Sequence, residues 1–401
     1  MFRMFPQFAI PTVKLSPHRI TFQDVEKIIG TGFTAAFPLG DLVAVKEQIA
    51  ASKSKHPSAI QFLNHIPSHA NLLVSTRDSM KSETHVFSID NSGCIQIESV
   101  GKRVKVSPKE AAELALALQA KIFIAPAEEL PADGSAGNRR EKRAAESAQK
   151  FVKEGLETFL AHQQKADHPV MIGTIPSLKS STHKTAFIRK LSENSSGLYL
   201  AGLESIESDL AQISDVRKAF EADPKLIIVP SRGTVSEFLA LIKSGAHVIE
   251  TAYPFQLADR GALLNVNFPG ESSLTDPHGP NEFEIDMRDE KFFRDHSSIL
   301  PETNRPGNSS AIPEYVSESG LHTKSYLHHL LKREELLGYQ ILTVLNLWTF
   351  NRIFLEIRQA IAAGEFEEWC GVFTKINGLG VIQGEAAVEG NEPDTKRRRI
   401  E

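Results

Sequence analysis

Short apolar runs alternate with helical stretches along most of this chain, and that alternation limits its fold more than any other feature. Candidate strands lie at Asn71–Thr76, Cys94–Glu98, Lys121–Ala125, Val170–Ile175, Gly197–Gly202, Leu226–Pro230 and His247–Thr251. Helical patterns lie between them at Pro108–Gln119, Arg140–Gln163, His183–Ser192, Ile206–Ala222 and Thr234–Ser244. Repeated strand-then-helix units argue for a parallel sheet covered by helices. Two helix starts carry clear signals. Ser107-Pro108 sets an N-cap before a proline at the first helical position, and Thr234 precedes Glu237 at capping-box spacing. Over this length the expected fold is an α/β (β/α)8 barrel with a small N-terminal β-rich elaboration and a C-terminal helical region. A doubly wound open sheet is the alternative.

The barrel is expected to occupy residues 1–377, with a disordered loop at 131–143, a loop at 301–320, a helical region at 323–363 and a disordered tail at 378–401. From Thr323 to about Ala363, Leu327, Leu330, Leu337, Ile341, Val344, Leu345 and Trp348 recur at helical spacing. One helix of that length would run about 60 Å, more than one barrel covers. A bend near Gly338 or Asn346, or two helices, is therefore expected, with part of the apolar face left for a partner. The net charge of −5 excludes a globally basic nucleic-acid coat but permits local basic patches. Two cysteines, Cys94 and Cys370, provide neither a disulfide framework nor a thiolate metal site, and a reducing compartment is expected. No apolar run is long enough for a membrane span. The N-terminal region is basic like a mitochondrial transit peptide, but Pro6, Pro11 and Pro17 would break the helix such peptides form. A cytoplasmic location is expected, with mitochondrial association as the variant. The closing Lys396-Arg397-Arg398-Arg399 reads either as a solvated end or as an import or phosphate-contacting signal.

Four segments together resemble the tRNA-guanine transglycosylases, which exchange a base in the tRNA anticodon loop. They are Asn91–Ser99 with Gly101 and Val106-Ser107-Pro108-Lys109-Glu110; Gly197-Leu198-Tyr199-Leu200-Ala201-Gly202; Ser244–Pro254 with Asp259-Arg260-Gly261; and the helix start Tyr326–Gly338. The eukaryotic form of this family, queuine tRNA-ribosyltransferase, pairs a catalytic with an accessory chain, and the stretch Glu250–Gly261 resembles the accessory one.

Four departures bear on chemistry. In active members an aspartate attacks the ribose C1′; the matching residue is Glu250, whose extra methylene shifts the oxygens by about 1 Å, a misplacement that can cost about 100-fold. Without a pocket, Glu250 is simply a polar residue at a strand end. The family's Asp-Ser-Gly-Gly-Phe-Gln is matched by Asp78-Ser79-Met80-Lys81, so side chains stand where backbone would approach a base. Its Phe-Asp-Glu is matched by Pro126-Ala127-Glu128, and Ala127 accepts no hydrogen bond. Its zinc ligands fall on Glu314, Val316, Ser319 and Leu345. Val and Leu offer no lone pair, so no cofactor is expected although family members hold one zinc. Nearby His322, His328 and His329 read as packing or interface residues.

The resemblance thus implies a subunit that is not an enzyme by itself. It would support exchange of guanine for queuine at the tRNA wobble position, with the catalytic chain and tRNA as partners. The expected heterodimer surface is Tyr326, His328, His329, Leu330, Lys332 and Arg333; the expected tRNA contacts are Arg260 and Lys324, joined by Lys332 and Arg333. The same charges also read as a solvated helix face. The alternatives are an active transglycosylase using Glu250, or an unrelated barrel enzyme, for which no phosphate-binding Gly-rich loop is found.

Overall fold

Eight parallel strands close on themselves in this chain. In order they are Gln7–Val13, Thr34–Pro38, Asn71–Ser75, Ile122–Ile124, Val170–Ile175, Gly197–Leu200, Leu226–Pro230 and Val248–Glu250. The eighth pairs with the first in the register Gln7↔Val248, Phe8↔Ile249 and Ala9↔Glu250, so the sheet has no free edge and is a (β/α)8 barrel. These observations come from a computed structural model that describes residues 6–52, 66–80, 88–90, 93–128, 130, 137–162, 169–176, 178, 181–201, 206–219, 225–231, 233–269, 282–300, 316, 318 and 321–380.

Two cores result. Ala9, Ala36, Leu73, Ile124, Ile172, Tyr199, Ala201, Leu226, Ile228 and Val248 meet inside the barrel. A larger outer cluster joins the sheet to its helices, as expected when both faces of a parallel sheet are covered. Local chemistry fixes the helix ends. Ser107 Oγ accepts from Glu110 N–H with Pro108 in the first turn. Thr21 and Asp24 form a reciprocal capping box. The box expected at Thr234 is not made: the Thr234 side chain accepts no cap hydrogen bond. The Glu237 carboxylate instead lies over Gly233, where an added Cβ would meet Oε2 at 0.8 Å.

Several expectations are corrected. The first two barrel strands carry weak sequence signals: Pro11 lies mid-strand and Ala35-Ala36 has low β propensity. Cys94–Glu98 is outside the barrel. Strand Ile95–Ser99 belongs to an antiparallel sheet with Ser88–Ile89 and Lys102–Val106, inserted after the third barrel strand. Among the described residues the N-terminal β elaboration is Ser16–Pro17 against Thr12–Val13. The helix expected from Arg140 begins two residues earlier, at Asn138, and runs to Ala161, so residues 138–143 are helix and not the end of the loop. Arg140 and Arg143 pair with the fully buried Glu128 at 3.0 and 3.2 Å, which ties down these first turns. The rest of that loop, most of 301–320, and 381–401 lie outside the described residues.

The C-terminal region forms two successive helices, Lys324–Lys332 and Leu336–Ala363. The break comes before Gly338, at Glu334, which adopts a left-handed φ of 55°. Gly338 then permits the helices to touch: an added Cβ would lie 3.0 Å from Leu330 Cβ. The long helix spans the seam between the eighth and first strands. Phe350 meets Phe8 at 5.0 Å, Phe238 at 5.4 Å and Phe354 at 5.2 Å between ring centroids. Buried Asn346 accepts from Leu264 N–H at 2.7 Å and donates to Ala262 O at 2.9 Å. The expected apolar face is therefore mostly spent on the chain's own barrel, with Leu337 exposed. Among the described residues, no helix is long and apolar enough to cross a membrane.

Candidate functional site

The C-terminal ends of barrel strands are where such folds place their chemistry, and the last strand ends on Glu250. Its side chain is 1% exposed. Ser79 Oγ and Ser75 Oγ lie 2.8 and 3.1 Å from Oε1, and Tyr199 OH donates to Oε2 at 3.0 Å. These partners converge because the barrel closes: Ser75 ends the third strand, Tyr199 lies in the sixth, and Ser79 follows the third by four residues. Burial pushes the Glu250 carboxyl above its ordinary pKa, while the three hydroxyls and the Arg77 guanidinium pull the other way. The Tyr199 ring belongs to the inner core, so the barrel interior beneath the carboxylate is filled with side chains.

This arrangement holds a carboxyl group rather than presenting one. A carboxylate has about four acceptor sites, and three hydroxyls surround this one. A nucleophile needs an unshielded oxygen in line with the carbon it attacks. Sequence reasoning named Glu250 but missed Tyr199, Ser75 and Ser79 as its partners. The signal was partial: Tyr199 lies in a segment that carries the resemblance and Ser79 in one that departs from it, yet which side chains face inward depends on the closed barrel. Asp78 accepts from Met80 N–H at 3.1 Å, Met80 packs against the outer core, and Ala127 is buried. Lys81 is outside the described residues.

The other candidates scatter. Val316 and Leu345 are both fully buried in the outer apolar core. Glu314 and Ser319 fall outside the described residues. His328 Nδ1 lies 3.1 Å from Met287 O, and His322 packs on the Tyr326 ring at 5.2 Å. Among the described residues no three His, Cys, Asp or Glu gather as a metal site would require, and two apolar core side chains do not fit a zinc ligand set. Of the expected interface residues, His328 and Leu330 are buried within the chain, whereas Tyr326, His329, Lys332 and Arg333 are exposed. Three of the expected tRNA contacts are paired: Lys332 with Glu290 at 2.7 Å, Arg260 with Glu284 at 3.2 Å and Lys324 with Asp295 at 3.5 Å.

The family model of queuine tRNA-ribosyltransferase matches residues 58–377. A queuine tRNA-ribosyltransferase-like protein of Plasmodium falciparum (isolate 3D7) is 27% identical over 282 residues, covering 64% of this chain and 65% of that relative. Queuine tRNA-ribosyltransferase accessory subunit 2 of Culex quinquefasciatus is 23% identical over 280 residues, covering 65% and 60%. The Xenopus tropicalis protein of the same name is 22% identical over 262 residues, covering 58% and 60%. The chain thus aligns with less than two thirds of the length of these three relatives. With the family model spanning the third to eighth barrel strands and the helices that follow, the chain belongs to the queuine tRNA-ribosyltransferase family.

Proposed function

We propose that this chain is a non-catalytic subunit of a queuine tRNA-ribosyltransferase. In this reading it binds a catalytic chain of the same family and helps hold tRNA while the partner exchanges guanine for queuine at the wobble position. The observation that carries the reading is the state of Glu250: the residue in the nucleophile position is buried and surrounded by three hydroxyls. Names of relatives as accessory subunit 2 support it. An exposed apolar surface supports a partner. Phe293 is 58% exposed, and Leu321, Tyr326, Leu336 and Leu337 are also open to solvent on or beside the Lys324–Lys332 helix. Apolar side chains grouped at a surface mark protein contacts. Tyr326, His329, Lys332 and Arg333 would then contribute directly, and His328 and Leu330 would act by holding the helix in place.

The test is exchange of labelled guanine into tRNA by this chain alone, by a catalytic family chain alone, and by the two mixed, with mass measured by light scattering. We expect background exchange from the isolated chain and a 1:1 complex that exchanges. Turnover by the isolated chain would sink the reading, and so would failure of the two chains to associate. We further expect the purified protein to carry well under one zinc per chain, because Val316 and Leu345 supply no ligand. Metal analysis approaching one zinc per chain would overturn that expectation.

A further inference from the structure

The hairpin joining Ile95–Ser99 to Lys102–Val106 turns through Val100 and Gly101, with φ of 50° and 73°. Two-residue turns with both residues at positive φ favour Asn-Gly or Asp-Gly. A β-branched residue in that region is strained. Val100 is also 78% exposed. Folding and solubility both argue against valine here, so its side chain calls for a use outside the folded chain.

The tip is cationic and firmly mounted. Lys102 and Arg103 are exposed, and neither makes an ion pair among the described residues. Glu98 stands opposite Arg103 in the ladder. Lys105 is held by Asp90 at 2.8 Å. Ser99 Oγ donates to Gly40 O at 2.7 Å, and Gly40 approaches so closely that an added Cβ would meet Glu98 O at 2.1 Å. Gly40 lies just past the end of the second barrel strand, which fixes the hairpin at the mouth side of the barrel. Beside it, Asp41 accepts from Lys14 N–H at 2.7 Å, leaving the exposed Lys14 side chain on the same rim.

We propose that the hairpin tip Val100–Arg103, with Lys14, is an RNA-backbone contact on the mouth side of this barrel. The proposal rests on the reading above only in taking RNA as the ligand. Lysine is depleted at protein–protein interfaces, whereas Lys and Arg supply most phosphate contacts. Among the described residues Lys102 and Arg103 make no ion pair, while the cations of the C-terminal helix surface are mostly neutralised by carboxylates. Nucleic-acid binders also set apolar side chains beside cations, where they press on sugars and bases. Val100 fits that use, and the strained turn presents it rigidly.

The experiment measures binding of an unmodified tRNA transcript to the full chain by fluorescence anisotropy across a salt series. The variants are the double substitution Lys102→Ala with Arg103→Ala, and Val100→Asn. We expect the double variant to lower affinity about tenfold and to reduce the slope of log K against log salt by about 1 to 2, the loss of two phosphate contacts. Val100→Asn should raise the melting temperature, since asparagine suits the turn, yet weaken binding several-fold. An unchanged salt slope in the double variant overturns the proposal, as does absence of salt-dependent tRNA binding by the full chain. Association with a catalytic family chain is measured on the same variants. Weakened association with unchanged tRNA binding would make the tip a protein contact, and this too overturns the proposal. Because the wild-type chains are tested for association separately, failure of the subunit reading is distinguishable from failure of this one.

Discussion

Glu250→Ala is expected to lower the unfolding free energy by about 3 kcal/mol. The substitution strips a buried carboxyl from Ser75, Ser79 and Tyr199 and removes the negative group facing Arg77, and groups buried without partners are costly. Glu250→Gln keeps the volume and lets the hydroxyls reorient, so a cost of about 1 kcal/mol is expected. In the two-chain enzyme, Glu250→Gln should leave guanine exchange within a few-fold; a loss of about 100-fold with assembly intact would make Glu250 part of the chemistry.

The pH dependence follows from the same group. Its folded pKa is raised by burial, so between the unfolded carboxylate value, about 4.3, and the folded value the native state binds more protons than the unfolded chain. Stability from this group is greatest at low pH and declines as pH rises through that window. One local feature agrees. Ser75 has a single hydroxyl proton yet lies 3.1 Å from both Arg77 O and Glu250 Oε1; a protonated Glu250 donating to Ser75 satisfies both. Urea unfolding from pH 4.5 to 8 should show the wild type losing stability relative to Glu250→Gln. A flat or rising difference would mean that Glu250 is ionised throughout.

Phe350→Ala should cost about 3–5 kcal/mol. Phe350 is fully buried and contacts rings from three other elements: Phe8 on the first strand, Phe238 on the helix after the seventh, and Tyr253 just past the eighth. Loss of that ring leaves a cavity at the seam where the barrel closes, and neighbours anchored on three elements cannot collapse into it. Equilibrium denaturation should show a lower midpoint with an unchanged slope. A cost below about 1 kcal/mol would mean that the Leu336–Ala363 helix does not hold the seam. The effect should also reach assembly, because this helix continues from the one carrying Tyr326.

Local patterns along the chain encode the repeating strand–helix units, six of the eight barrel strands and the helix start at Ser107. Those features depend on residues close together in the chain: alternating apolar runs and a proline after a capping serine. The resemblance set Glu250 against the family's nucleophile and implied that apolar residues replace two zinc ligands. The tertiary structure alone decided what those residues do. Pro11 reads as a strand breaker, yet its segment is the first barrel strand, because both neighbouring strands of the closed sheet hold it. Arg140 and Arg143 fall where the loop and helix patterns overlap, and the buried Glu128 beneath them decides for helix. Tyr199 and Ser75 reach Glu250 from 51 and 175 residues away in the chain. No local pattern encodes such a meeting, and barrel closure produces it.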